Sequence, residues 1–128
     1  MIERRHDWAC SGQVIDSALK VHSVLGPGLL ETAYLACLAY ELRSRGLQVA
    51  EQVPVPVVYE GVRIDVAYRM DLLVEEVVVV EAKAVAKLLP VHHAQLLSYL
   101  KLGGRNVGLL INFHERRLRD GIVRVVNE

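Results

Sequence analysis

The sequence predicts a mixed α/β (α+β) domain, a central sheet with helices packed against it. Three observations carry this expectation. Apolar residues recur at helical spacing near the start. Val77–Val85 is a near-continuous apolar run, typical of a strand buried on both faces. A helical stretch at 90–102 separates that run from a second one at Val107–Phe113, the strand–helix–strand order of a right-handed parallel crossover.

Each element has its own signal. Over residues 12–25, Val14, Ala18, Val21 and Leu25 share one helical stripe. Gly26-Pro27-Gly28 ends that helix and opens a second near Leu29, which runs to about Arg45 with Gly46 suited to the C-terminal cap. Residues 47–59 read as a strand through Val49, Val53, Val55, Val57 and Val58, and its prolines mark an edge or a bend. Glu60-Gly61 is a hairpin turn leading into a strand over 62–74. Glu75-Glu76 turns the chain into the central run, and Gly103-Gly104 closes the third helix. A last strand covers 118–126, with a turn at Asp120-Gly121. The predicted order is αα-βββ-α-β-β, with antiparallel hairpins before a parallel unit and hence a mixed sheet.

A chain of 128 residues argues for one domain, 1–128, and buries roughly two thirds of its unfolded surface, enough for a core without staples. The net charge of zero excludes a uniformly basic nucleic-acid coat but leaves room for a local patch. No secretory leader or membrane-length apolar run is expected, and the two cysteines, Cys10 and Cys37, suit a reduced, cytoplasmic setting.

The informative residues violate their own elements. Glu81 and Lys83 interrupt the central apolar run, and residues two apart project from the same face of a strand. Burying a charge without a partner costs several kcal/mol or more. Asp71 precedes Leu72-Leu73-Val74 in the strand before. If the two strands form a hairpin about Glu75-Glu76, Asp71 and Glu81 become neighbours across the ladder. Two close carboxylates repel, and a divalent cation resolves the repulsion. The structural alternative is a salt-bridge cluster, Glu81 with Lys83 or Arg69 with Asp71. Two helices add polar residues to apolar stripes. Glu31 shares a stripe with Leu35, Leu38 and Leu42, where helix N-terminal capping is the alternative role. Gln95 shares one with Val91, Tyr99 and Leu102, where a satisfied core amide is the alternative.

These residues resemble a known family. Gly28-Leu29-Leu30-Glu31-Thr32-Ala33-Tyr34 matches the G-x-x-E-x-x-Y signature of the GxxExxY proteins, assigned to the PD-(D/E)XK nuclease superfamily near its RecB-like branch. Asp71, the Glu81-Ala82-Lys83 triplet, the Gln95-to-Tyr99 spacing and the Gly108–Phe113 segment match that family in order and spacing over residues 14–126. The resemblance implies a restriction-endonuclease-like mixed β-sheet flanked by helices, of core order α-βββ-α-β. It implies hydrolysis of phosphodiester bonds in nucleic acid, DNA favoured over RNA, at a centre with Asp71, Glu81, Lys83, Gln95 and Tyr99. Asp71 and Glu81 would hold Mg²⁺ or Mn²⁺, with Glu31 ligating a second ion or a metal water. Lys83 would position the attacking water and stabilise developing charge, Gln95 would orient Lys83 or the water, and Tyr99 would support it. A homodimer is a further expectation, since small nucleases of this class often act as dimers. The competing expectation is a non-catalytic nucleic-acid- or protein-binding module on a nuclease fold.

Other residues add less. Arg116, Arg117, Arg119, Arg124 and Lys87 are candidates for phosphate contact, or equally a charged edge that discourages sheet aggregation. His22 falls on the apolar stripe of the first helix, which favours a core or supporting role. His92 and His93 lack the i, i+4 spacing of a zinc-binding helix. The Gly26-Pro27-Gly28 turn lacks the Lys-Ser/Thr of a nucleotide-binding loop.

Overall fold

The computed structural model describes residues 5–66 and 68–128. Helix α1 (Arg5–Leu25) leads to α2 (Glu31–Ser44), then to strands β1 (Val49–Pro54), β2 (Val57–Tyr59), β3 (Val62–Ile64), β4 (Arg69–Val74) and β5 (Val78–Lys83). Helix α3 (Pro90–Gly103), β6 (Val107–Asn112), a 3₁₀ turn (Leu118–Gly121) and β7 (Ile122–Val126) complete the chain.

Five strands form one sheet in the order β1-β4-β5-β6-β7, and β2 and β3 form a separate ribbon. β5 is central. It pairs antiparallel with β4 and parallel with β6, so the sheet is mixed as expected. Residues alternate across β5. Val78, Val80 and Ala82 join the core beneath α1 and α2, with Leu38, Leu42 and Leu109. Val79 joins the opposite core beneath α3, with Leu73, Leu96, Leu100 and Leu110. Complete burial of each of Val78, Val79 and Val80 stabilises the sheet by about 1.5–3 kcal/mol per side chain before entropy is counted.

The signature segment before α2 has a structural reason. Gly26 and Gly28 take positive φ, 70° and 107°, which the tight turn needs. Tyr34, one turn into α2, donates its hydroxyl hydrogen to the Gly26 carbonyl and accepts the Leu29 N–H at 3.1 Å. Its ring stacks on Phe113, centroids 4.5 Å apart. The tyrosine thus ties the inter-helix turn to the residue that follows β6.

Several sequence expectations are corrected at their edges. α1 begins at Arg5 rather than residue 12, because Asp7, Cys10 and Ser11 extend its buried stripe with mostly polar residues. The single strand expected over 47–59 is two, parted at Val55-Pro56, and the one over 62–74 is likewise β3 and β4. Pro54 and Pro56 have no N–H to continue a ladder. The hairpin register, Val49 opposite Val74, changes to Val57 opposite Ile64 across the break. β1 is the sheet edge that the prolines suggested. The last strand starts at Ile122, not 118. Gly121 closes the 3₁₀ turn so tightly that an added Cβ would lie 2.8 Å from the Asn112 carbonyl oxygen.

The turn at Glu75-Glu76 forms as expected, with both residues at positive φ (54° and 57°) and Val77 N–H donating to the Val74 carbonyl at 2.9 Å. This is type I′ geometry, which matches strand twist but disfavours glutamate. Compensation comes from Gln48 N–H, which donates to Glu75 Oε2 at 2.6 Å, and from Arg105, which donates to the Glu76 carbonyl at 2.7 Å.

Candidate active site

The β4–β5 ladder runs from Val74 opposite Val78 to Leu72 opposite Val80. The next positions are Asp71 and Glu81, and there the side chains take over the pairing. Asp71 N–H donates to Glu81 Oε1 at 3.2 Å, and Ala82 N–H donates to Asp71 Oδ2 at 2.9 Å. Each carboxylate is therefore held by the backbone of the neighbouring strand. Two bonds of this kind fix the carboxyl groups more firmly than rotamer preference alone.

Alternation places the pair on the α3 face. Leu73 and Val79 pack beneath α3, and Asp71, Glu81 and Lys83 lie at even intervals from them. Glu81 is 5% exposed, whereas Asp71 and Lys83 are half-buried. Burial, then the Asp71 charge and a hydrogen bond with its carboxyl group, push the Glu81 pKa up to about 9, and the nearby Lys83 charge pulls it the other way. With no cation between them, the pair retains a proton at neutral pH. Among the described residues, neither carboxylate forms an ion pair with an arginine or lysine. The salt-bridge alternatives, Arg69 with Asp71 and Glu81 with Lys83, do not form.

From α3, Gln95 and Tyr99 face the same place. Gln95 and Tyr99 border the same groove, and burial followed by the Glu81 charge raises the Tyr99 pKa. Tyr99 is buried and its ring packs against Tyr68 at 5.9 Å between centroids, tilted by 48°. The structure thus gathers Asp71, Glu81, Lys83, Gln95 and Tyr99 on one face, at the end of β5.

Glu31 is not gathered with them. It opens α2, which covers the opposite face, and no capping bond is made there by the residue before it, Leu30. It borders a separate cavity of about 340 Å³ with Leu29, Leu30, Thr32 and Ala84, reaching the end of β5 one residue beyond Lys83. Among the described residues, no three acidic, histidine or cysteine side chains lie close enough together to hold a metal ion. The oxygen-only pair of Asp71 and Glu81 nevertheless fits a hard divalent cation that keeps water and phosphate in its remaining positions.

Asn112 is a site-building residue that the sequence reading passed over. It is completely buried, and it donates to the Val85 carbonyl at 2.9 Å while accepting the N–H groups of Val85 and His114 at 3.1 and 3.2 Å. With Phe113 N–H donating to the Lys83 carbonyl at 2.8 Å, it locks the chain leaving β5 against β6. The signal was present, since Asn112 interrupts the run Val107–Phe113 as Glu81 interrupts the run before it.

The basic candidates divide. Arg116, Arg117 and Arg119 are exposed and follow the C-terminal end of β6, beside that of β5, where Lys83 stands. Arg124 instead donates to Ser11 Oγ of α1 at 2.8 Å, on the face away from the carboxylates, and is corrected from substrate contact to structural tie. His22 is buried against the Glu115 carbonyl at 2.7 Å, a core histidine.

No helix among the described residues is long and apolar enough to cross a membrane. No curated protein and no solved structure matches the chain. A family model described as the PD-(D/E)XK nuclease superfamily matches residues 9–125, a span that holds the carboxylate pair, Lys83, Gln95 and Tyr99. With that match over nearly its whole length, and with a mixed sheet flanked by helices, the chain belongs to the PD-(D/E)XK nuclease superfamily.

Proposed function

We propose that this protein is a divalent-cation-dependent nuclease that hydrolyses phosphodiester bonds, DNA favoured over RNA. The observation that carries the reading is the Asp71–Glu81 pair, held side by side by backbone N–H groups and, among the described residues, in no ion pair with an arginine or lysine. A buried acidic pair of this kind gives little to stability and is explained by a ligand that balances its charge.

Asp71 and Glu81 would hold Mg²⁺ or Mn²⁺. When bound, such an ion supplies Lewis-acid polarisation of a phosphate oxygen and a lowered pKa for a neighbouring water. The Lys83 ammonium, on the same strand face, positions the attacking water and balances charge that develops on the phosphate. Gln95, beside Tyr99 on α3, orients the water or Lys83, while Tyr99 walls the buried side of the pair. Glu31, which shares a cavity with Ala84, would reach a bound ion only through an intervening water. Arg116, Arg117 and Arg119 approach the backbone of the substrate from the neighbouring strand end. Finer membership, in the GxxExxY group near the RecB-like branch, is supported by Gly28 to Tyr34 and by the Gln95–Tyr99 spacing.

The test is cleavage of labelled oligonucleotides with Mg²⁺ or Mn²⁺ against a chelator control. Lys83→Ala is expected to reduce turnover on the order of a hundredfold or more, while cation binding by calorimetry persists. Asp71→Ala is expected to remove both. Wild-type cleavage rates in Lys83→Ala would refute the assignment.

A further inference from the structure

Beside the carboxylate pair lies a groove of about 440 Å³ between α3 and the chain around β2. Val57, Val91 and Leu102 give it apolar walls, Tyr68 an aromatic one, and Gln95 and Ser98 its neutral polar groups. Among the described residues, no charged side chain lines it. Tyr99 belongs to both places, since it borders the groove and its phenol is influenced by Glu81 and Asp71. Whatever fills the groove therefore sits next to the reacting position. Tyr68 is 47% exposed although its ring packs on Tyr99, so an aromatic surface stays open to a ligand.

We infer that this groove takes an unpaired nucleobase, so that the substrate is a single-stranded nucleic-acid segment; the inference rests on the nuclease reading above. The groove's chemistry selects the occupant. A phosphate group would need a cation or a cluster of donors, and the lining has neither charge nor an arginine fork. A base is flat, neutral and aromatic, and it carries donors and acceptors on its edge. It matches a tyrosine face between aliphatic side chains, with one amide and one hydroxyl at hand. Within a duplex both faces of a base are stacked and its edge is paired, so only a base outside the helix can enter. With its base in the groove, a nucleotide has its sugar–phosphate directed past Tyr99 towards the carboxylates and Lys83. A single strand also needs only one centre, so one copy of the chain suffices.

Binding is read separately from cleavage. Lys83→Ala protein in Mg²⁺ is titrated against a short fluorescein-labelled single-stranded oligodeoxynucleotide, its duplex form, and the same strand with abasic sites, by fluorescence anisotropy. The single strand is expected to bind roughly tenfold or more tightly than the duplex or the abasic strand. Adding Tyr68→Ala, or separately Leu102→Asp at a partly exposed site, is expected to weaken single-strand binding roughly five- to a hundredfold and to leave abasic-strand binding unchanged. In the otherwise wild-type enzyme, Tyr68→Ala is expected to raise KM with kcat nearly constant. Equal affinity for single-stranded, duplex and abasic DNA, or unaltered single-strand binding by both groove variants, overturns the proposal. Base-dependent binding without any cleavage would uphold the groove and refute the nuclease reading instead.

Discussion

At the scale of single residues, the group that matters most for titration is Glu81. Glu81 has its folded-state pKa raised to about 9 from an ordinary 4.5, chiefly by burial. Below pH 4.5 it is neutral in both folded and unfolded chains. Between that pH and 9 the unfolded chain loses the proton while the folded chain keeps it, so the folded state loses ground as pH rises. Metal-free protein is therefore expected to lose stability from pH 5 to pH 9, on the order of several kcal/mol across the window, and its melting temperature should fall accordingly. Glu81→Gln should flatten that slope, and Mg²⁺ should flatten it in the parent chain. Thermal melts in buffers of matched ionic strength check both, and a parent slope equal to that of Glu81→Gln would show that Glu81 does not titrate in this way. Asn112 gives a second expectation. Asn112→Ala removes three bonds from a completely buried place and should cost about 3 kcal/mol by urea denaturation. It should also lower kcat, because the chain leaving Lys83 loses its anchor. Restoring stability with a remote stabilising substitution would separate the two effects.

At the scale of elements, what was legible followed from alternation and from punctuation. Val77–Val85 announced the central strand, and its two interruptions announced which face would carry chemistry. The turn at Glu75-Glu76 was legible from spacing although glutamates disfavour that backbone, because the strands on either side leave no other place to reverse. Elements failed to be legible where their signals lay outside their own residues. The first turns of α1 bury Asp7 and Ser11, which have no apolar signature; Ser11 instead meets Arg124 from a strand far away in sequence. The break between β1 and β2 depends on how the ribbon leaves the sheet; the prolines marked an edge or a bend but not where the ladder would part. Glu31 shared a stripe with buried leucines, yet a stripe does not reveal which face of the sheet its helix will cover. Tyr68 had no pattern of its own, lying between β3 and β4 outside any regular strand. Its meeting with Tyr99 is a product of the tertiary fold.

For the molecule as a whole, the sheet divides the work between its faces. One face, under α1 and α2, is apolar support; the other, under α3, holds the carboxylates and the groove. Equal damage on the two sides should therefore have unequal effects. Leu38→Ala and Leu96→Ala each remove a completely buried side chain and should each cost about 2–5 kcal/mol. Leu96 lies one residue from Gln95, so its loss should also lower kcat in folded protein, whereas Leu38→Ala should leave kcat nearly unchanged. Chemical denaturation paired with single-turnover assays at low temperature distinguishes them, and matching kcat losses would contradict the division. A consequence also follows from the ring stack of Tyr34 on Phe113. The peptide of Phe113 holds the carbonyl of Lys83, so the tyrosine stands two links from the lysine's backbone though it comes from the far layer. It serves as a datum for the height of that amine. A slackened stack would leave the chain folded and let the amine drift, so that weakened chemistry, rather than unfolding, would be the first sign of injury at the turn between the helices.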